Sequence, residues 1–428
     1  MPSARRRMNI VLLTTYFHPE ITGIAPHATA IAKALQERGH RVTVFAPWPH
    51  YPEWAVHEEY RRRPPKTETV DGITVHRSRI WLPRGDAVTI KTRLVGEGSA
   101  VAFQALNLLR HLRTVARADV VIAMSPFFGQ GMTALALRAI LRREFIFHVE
   151  DIIPDSAIDT GVLDNAGGLT RALVSFASSV ERRVYRSARC VSTLTGAMRE
   201  NIQAKAPTAR VVLAGYWTDP DTHQPDDELA ASFRAAHGYD ASHLVVGYAG
   251  NIGAKQKLEA LIETAGVFAR RDARVQFVIA GDGAHRIPLE QAVQAAGLAN
   301  VRMLPLQRGK DYSAFLNGVD LSYIAQADGV SDAFIPSKLY PTLASGCAVA
   351  CFANEGAELY RLMQQSGAAL TYTWDDTARF VDEMIALADD RSELAAMGRA
   401  AREFALSRFT RESALGEFVD AVEAGDSV

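Results

Sequence analysis

The chain has 428 residues, 48% hydrophobic and 22% charged, with a formal net charge of −1 at pH 7. That length holds two or three domains, each able to bury its own core. The near-neutral balance excludes a general nucleic-acid binder, which needs a broad basic face. No window reaches the roughly 20 uncharged apolar residues of a membrane-spanning helix, and the basic N-terminus leads only into the short apolar run Ile10–Leu13, not a secretion signal. Cys190, Cys347 and Cys351 have no metal-ligand spacing and read as core thiols in a reducing compartment.

Short apolar runs alternate with helix-period segments. Ile10–Thr15, Val42–Ala46, Val120–Ala123 and Phe145–Val149 read as buried parallel strands. The intervening helices are expected over Pro26–Arg38, Lys91–Ala116, Gly131–Arg142 and Leu169–Arg186. After a polar segment, Thr218–Glu228, expected to be an inter-domain linker, the pattern restarts. Its strands are Leu244–Ala249, Val275–Ala280, Val301–Leu304, Leu321–Ile324 and Ala348–Phe352. The expected class is α/β, with two doubly wound Rossmann-like domains facing a cleft. Ligands in such sheets bind at the carboxyl ends of the strands, so the loops there carry the chemistry.

After the first strand, Gly23 stands just before a helix start, where a missing Cβ allows close backbone approach to a ligand. The spacing is not GxGxxG, so a dinucleotide fingerprint is absent. After Phe145–Val149, Glu150, Asp151 and Asp155 follow His148. The carboxylates suit a pocket facing hydroxyl groups, or else Asp155 caps a helix and the loop is surface. His148 reads first as a satisfied core histidine.

Gly250-Asn251-Ile252-Gly253 with Lys255 and Lys257 offers bare backbone donors and mobile cations, as a pyrophosphate needs, unless the lysines are a solvated face. Asp282 and Gly283 repeat the strand–glycine–turn logic, with Asp282 placed to hydrogen-bond a base or ribose, or simply to turn the chain. Ser337 and Lys338, ahead of a short helix, add a hydroxyl donor and a point charge for phosphate. Glu355 and Glu358 follow the next strand, near backbone amides able to hold sugar hydroxyls.

These loops in this order resemble the retaining glycosyltransferases of the GT-B architecture, family four. Within it they are most similar to colanic-acid fucosyltransferases and N-acetylfucosaminyl transferases. The matching residues are His18-Pro19-Glu20-Ile21-Thr22-Gly23-Ile24, the run from Ala46 to Trp54, His148-Val149-Glu150-Asp151, Gly250-Asn251-Ile252-Gly253, Ala280-Gly281-Asp282-Gly283 and Pro336-Ser337-Lys338-Leu339. The resemblance implies an acceptor-binding domain over residues 1–217, a nucleotide-sugar domain over 218–408 and a helix over 409–428 that returns to the first domain. It implies a UDP- or GDP-sugar as co-substrate, a saccharide or polyprenyl-linked acceptor, and neither metal nor cofactor. It also implies polysaccharide synthesis in the cytoplasm, at the inner face of the plasma membrane.

Carried over by position, Gly23 approaches the diphosphate, while Asn251 and Lys255 or Lys257 fall near a basic pair. Ser337 and Lys338 contact phosphate or sugar, and Glu355 and Glu358 lie near the donor sugar. Glu150 and Asp151 lie near the reacting carbon, with His18, Glu20, Trp54 and His148 on the acceptor side. The sequence departs from the family in two places. Ala333 and Pro341 stand where most members have two glutamates, leaving Asp332 as a stand-in for the first, and Asn251 replaces an arginine. A nucleotide-sugar epimerase of the same architecture and a non-catalytic nucleotide-sugar-binding partner are the rival readings. The stretch Arg93–Arg113, apolar with basic ends, is either an interfacial membrane helix or a core helix.

Overall fold

The computed structural model describes residues 6–20, 23–51, 53–82, 90–125, 129–152, 168–330 and 333–424. Asp332, Asp155, Ile21, Thr22 and the side chain of Arg93 lie outside the described residues. The chain divides into two compact units, Met1–Gly215 with Leu415–Val428, and Tyr216–Ala414.

The first unit is built on β1 (Asn9–Leu13), β2 (Arg41–Pro47), β3 (Thr67–Val70), β4 (Ile73–Ser78), β5 (Val120–Met124), β6 (Phe145–Val149), β7 (Cys190–Thr193) and β8 (Val211–Leu213). Their order in the sheet is β3-β4-β2-β1-β5-β6-β7-β8. Every pair is parallel except β3 with β4. The central strands are continuous runs of Val, Ile, Leu and Phe because helices cover both faces. The sequence reading omitted β3, β4, β7 and β8. Asp71 and Gly72, both at positive φ, turn β3 into β4 as a hairpin, a dipeptide signal that was legible. The others are three- and four-residue strands, too short to show a period.

The single helix expected over Lys91–Ala116 is two, Ile90–Arg110 and Leu112–Ala116. The break falls at His111, whose ring stacks on His76 at 3.8 Å between centroids. Gln104 ties the longer helix to the sheet, its Nε2 donating to the carbonyls of Thr14 (3.1 Å) and Phe45 (2.7 Å) at the ends of β1 and β2. No helix among the described residues is long and apolar enough to cross a membrane. The helix Arg411–Glu423 packs its second half in the first unit: Phe418 is fully buried near His148, and Arg189 donates to the carbonyls of Ala421 and Val422.

The second unit carries β9 (Leu244–Asn251), β10 (Val275–Asp282), β11 (Val301–Leu304), β12 (Leu321–Ala325), β13 (Ala348–Phe352) and β14 (Ala369–Tyr372). Their order is β11-β10-β9-β12-β13-β14, all parallel. Phe268, Phe277, Phe352 and Phe380 pack edge and face beneath one side, as aromatic cores prefer. Both sheets are the doubly wound class read from the sequence. Strand direction reverses its walk at β9 and β12, the position where open α/β sheets place ligands. The segment read as a linker is not loose: Arg402 donates to the carbonyls of Pro220, His223 and Ala344, and Asp226 caps the helix Asp227–His237. The three thiols are free and buried, Cys190 pushed up to about 11 and Cys347 and Cys351 to about 12 by burial.

Phe418→Ala should destabilise the first unit by about 3–5 kcal/mol, the usual cost of emptying a buried phenylalanine site. Urea unfolding followed by tryptophan fluorescence reads this as a lowered midpoint.

Candidate functional site

In the second unit the ends of β9 and β10 run side by side, Gly250 against Gly281 and Asn251 against Asp282. The approach is possible only without side chains: a Cβ on Gly281 would lie 2.0 Å from the Gly250 carbonyl oxygen. At Gly283, φ +146, it would lie 2.4 Å from that of Ile252. Beside this seam sits Lys338, at the head of the short helix Leu339–Ala344. The residue is half-buried, and its Nζ is fully buried 3.6 Å from the centroid of the Tyr248 ring, with no hydrogen-bond partner among the described residues. The Cβ position of Gly250 is 3.4 Å from the same nitrogen. Burial pulls the ammonium down to about 7. The aromatic face partly offsets the desolvation, and Tyr248 is itself fixed by donating its hydroxyl to the carbonyl of Asn251.

The other expected donor-side residues are distributed around this point. Lys257, in a left-handed conformation (φ +46), pairs with Asp328 at 3.0 Å and lies 4.1 Å from the Trp374 ring centroid. Lys255 is exposed, with its ammonium 5.7 Å from the Phe334 ring centroid. The structure thus separates the two lysines that the sequence left equivalent. Asn251 and Asp282 are exposed at the ends of β9 and β10, Asp282 accepting from the Gly283 amide at 2.8 Å, and Ser337 is exposed ahead of the helix Leu339–Ala344. Glu355 is exposed after β13, and Glu358, opening the helix Glu358–Ser366, pairs with Arg361 at 3.3 Å.

In the first unit the loops after β1, β5 and β6 converge on Glu150. Its Oε1 lies 2.7 Å from Nδ1 of His27 and 3.1 Å from Nε2 of His148, all three side chains inaccessible to solvent or nearly so. His148 Nδ1 is in turn 2.9 Å from Ser192 Oγ, and the Glu150 amide donates to Ser125 Oγ at 2.7 Å. Burial alone would raise the Glu150 carboxyl, but the two imidazoles outweigh it and hold the group far below the usual range. Burial lowers His148 and keeps it neutral. His148 is therefore a core histidine that fixes Glu150, while Asp151 follows exposed at the strand end. The three donors lie within 4.8 Å of one another, a set a transition metal also accepts, and their N–O spacings are those of hydrogen bonds.

His27 was given no role in the sequence. Its signal was faint: a donor-capable side chain in the first turn after a ligand-facing loop. Two further expectations change. Glu20 takes the amides of Phe17 (3.0 Å), His50 (2.8 Å) and Tyr51 (2.9 Å), so it binds one loop to another. The space beside Gly23 (φ +64) is filled by Tyr51, whose Cε1 lies 2.9 Å from the Cβ position. Tyr51 and His50 also pack edge-on against Trp54, and His18 is exposed on the loop after β1.

Residues 22–217 match the glycosyl transferase 4-like domain and residues 231–404 the glycosyl transferases group 1 domain. A chain of Escherichia coli K12 named as a colanic acid biosynthesis glycosyl transferase, WcaI, is 28% identical over 418 residues, 96% of this chain and 99% of its own. Among solved structures, sucrose-phosphate synthase from Thermosynechococcus elongatus is similar with a TM-score of 0.71 at 14% identity, covering 98% of this chain and 100% of that one. Anabaena HepE in complex with UDP-glucose gives 0.65 at 15%, with 98% and 100% covered.

Glu150→Ala should leave two buried imidazoles without their acceptor and cost about 1–3 kcal/mol or more. Because the native Glu150 carboxyl titrates below its unfolded value of 4.5, its stabilisation is present above about pH 4.5 and lost as pH falls. The stability of Glu150→Gln should therefore fall less steeply below pH 4.5 than that of the parent, read by thermal melts across pH.

Proposed function

We propose that this chain, which belongs to the GT-B glycosyltransferases with a 4-like first half and a group 1 second half, moves a hexose with retention from a UDP- or GDP-sugar to a saccharide or polyprenyl-linked acceptor in polysaccharide synthesis. The observation that carries the donor half is the buried, unpartnered ammonium of Lys338 beside Gly250. A buried cation without a counter-charge is costly. A diphosphate lying along the Gly250–Gly283 seam would supply that charge, with backbone amides and Ser337 as further donors. HepE, of the same fold, is described in complex with UDP-glucose, and WcaI is named for colanic acid biosynthesis; both support the class of donor and product.

In this reading the bond between the sugar C1 and the diphosphate oxygen breaks as Lys338 and the amides take up the charge on the leaving group. The acceptor hydroxyl attacks C1 on the same face, and its proton passes to the departing phosphate oxygen. Asp151, exposed at the open end of the strand, orients the sugar or the attacking group, and Glu150, held ionised behind it by His27 and His148, fixes the strand end that presents it. Lys255 is the second cation free to move toward the phosphates, whereas Lys257 first has to leave Asp328. No metal or cofactor enters this scheme.

Lys338→Ala should lower kcat/KM by about 10²–10³, the typical loss of one charge-stabilising donor, with the fold intact by circular dichroism; parental turnover would reject the assignment. Lys338→Met should gain stability, by about 1–3 kcal/mol, since it removes an unsatisfied buried group while keeping its stem. The charged lysine is the form that binds phosphate, and it titrates near 7 in the free protein. UDP or GDP affinity should therefore be flat below pH 7 and weaken by up to about tenfold per pH unit above it. Calorimetry in buffers of different ionisation enthalpy should show close to one proton taken up at pH 8, and none for Lys338→Met.

A further inference from the structure

The helices Ile90–Arg110 and Gly129–Leu141 lie next to each other on one face of the first sheet, over β2 and β4 and over β5 and β6. Among the described side chains, their outward sides lack the charged residues a solvated helix normally shows. Between residues 94 and 109 the first helix has one charged residue, Glu97, and it is buried against the Tyr16 hydroxyl. Leu94, Val95, Leu106 and Leu109 face out instead, Leu109 being 66% exposed. The second helix repeats the pattern with Met132 and Ile140, the latter 75% exposed, and its one charge, Arg138, is drawn to Glu144 at 3.6 Å.

Among the described side chains, the unpaired charge at this face gathers at one rim. Both helices feed parallel strands, β5 and β6, so their C-termini reach the same edge of the sheet. There Arg110, Arg113, Arg117 and Arg142 are exposed, and none pairs with an acid among the described residues. The acids of that edge, Asp119 and Glu144, are already taken by Arg6 and Arg138. At the opposite end the apolar face meets the acceptor-side loops: the Cβ position of Gly96 is 3.7 Å from the Trp54 ring, and the Trp81 amide is held by Ser99. We infer that this two-helix face docks flat on an anionic bilayer, with the leucines and Ile140 in the acyl boundary and the arginine rim on the headgroups. Apolar area with a basic border is the pattern of interfacial binding, and arginine stems reach from apolar depth to the headgroup level. The inference builds on the lipid-linked acceptor proposed above, whose isoprenoid would lie in the same plane as the Trp54 loop.

Flotation of the full chain with vesicles of phosphatidylcholine, with and without phosphatidylglycerol, tests it without any sugar substrate. The chain should float with the anionic vesicles only, and less at high salt. Leu109→Ser with Ile140→Ser should remove recovery by about tenfold, and each of Arg110→Gln, Arg113→Gln and Arg117→Gln should weaken binding about fivefold. All are surface positions, and unchanged melting temperatures confirm the fold. A parental chain that stays at the bottom, or a serine double variant that floats like the parent, overturns the inference. So does a serine variant that only converts a dimer to a monomer in sedimentation velocity, which assigns the face to a second copy. Transfer to a soluble acceptor is read separately, so failure here leaves the donor assignment standing.

Discussion

An ammonium buried without a counter-charge sets the terms for the second unit. Lys338 can occupy that position only because β9 and β10 end in glycines close enough for backbone to replace side chains, and because Tyr248 turns its ring face to the nitrogen. Each of these features is unfavourable or neutral for folding alone. Glycine adds chain entropy to the unfolded state, and the desolvated cation is held at a cost. The wide aromatic core around Phe268, Phe277 and Phe380 supplies the stability that lets the strand ends remain so arranged.

The first unit solves the inverse problem. There the buried charge is an anion, and it is satisfied twice, by His27 and by His148. The unit therefore fixes the direction of one carboxylate, while the second keeps a cation in reserve. The loop 14–20 is braced similarly, its Glu20 bonded to the amides of the loop after β2. Rigid oxygen positions suit groups that must orient a reacting centre, whereas an unpaired cation suits a charge that arrives with the ligand.

Most of the architecture was readable because buried parallel strands are continuous apolar runs, and β1, β5, β6, β9, β10, β12 and β13 are of that kind. The elements missed include β3, half-exposed at the sheet edge, and β7 and β8, largely buried but only four and three residues long, while β4 carries too many polar residues to stand out as an apolar run. The candidate residues divide along the same line. Lys338 stood out because a lysine before a buried helix has few other uses. Lys255 and Lys257 were alike in sequence, and only the backbone turn at Lys257 and the position of Asp328 tell them apart. Gly23 and Glu20 were read as ligand-facing, yet the Tyr51 ring beside the first and the amides of His50 and Tyr51 on the second come from a chain segment that no local pattern connects to them.

The return of Leu415–Val428 to the first unit bears on how the chain acquires its structure. Phe418 fills a place beside His148, Glu423 meets His40 at 3.1 Å, and Arg189 waits for the carbonyls of Ala421 and Val422. These contacts join residues more than 200 positions apart, on either side of the whole second unit. During translation the first unit emerges early but lacks one wall, and its imidazole cluster borders that gap until residues 415–424 have followed the second unit. The second unit, whose residues are contiguous, can close first. Order of synthesis and order of completion are reversed.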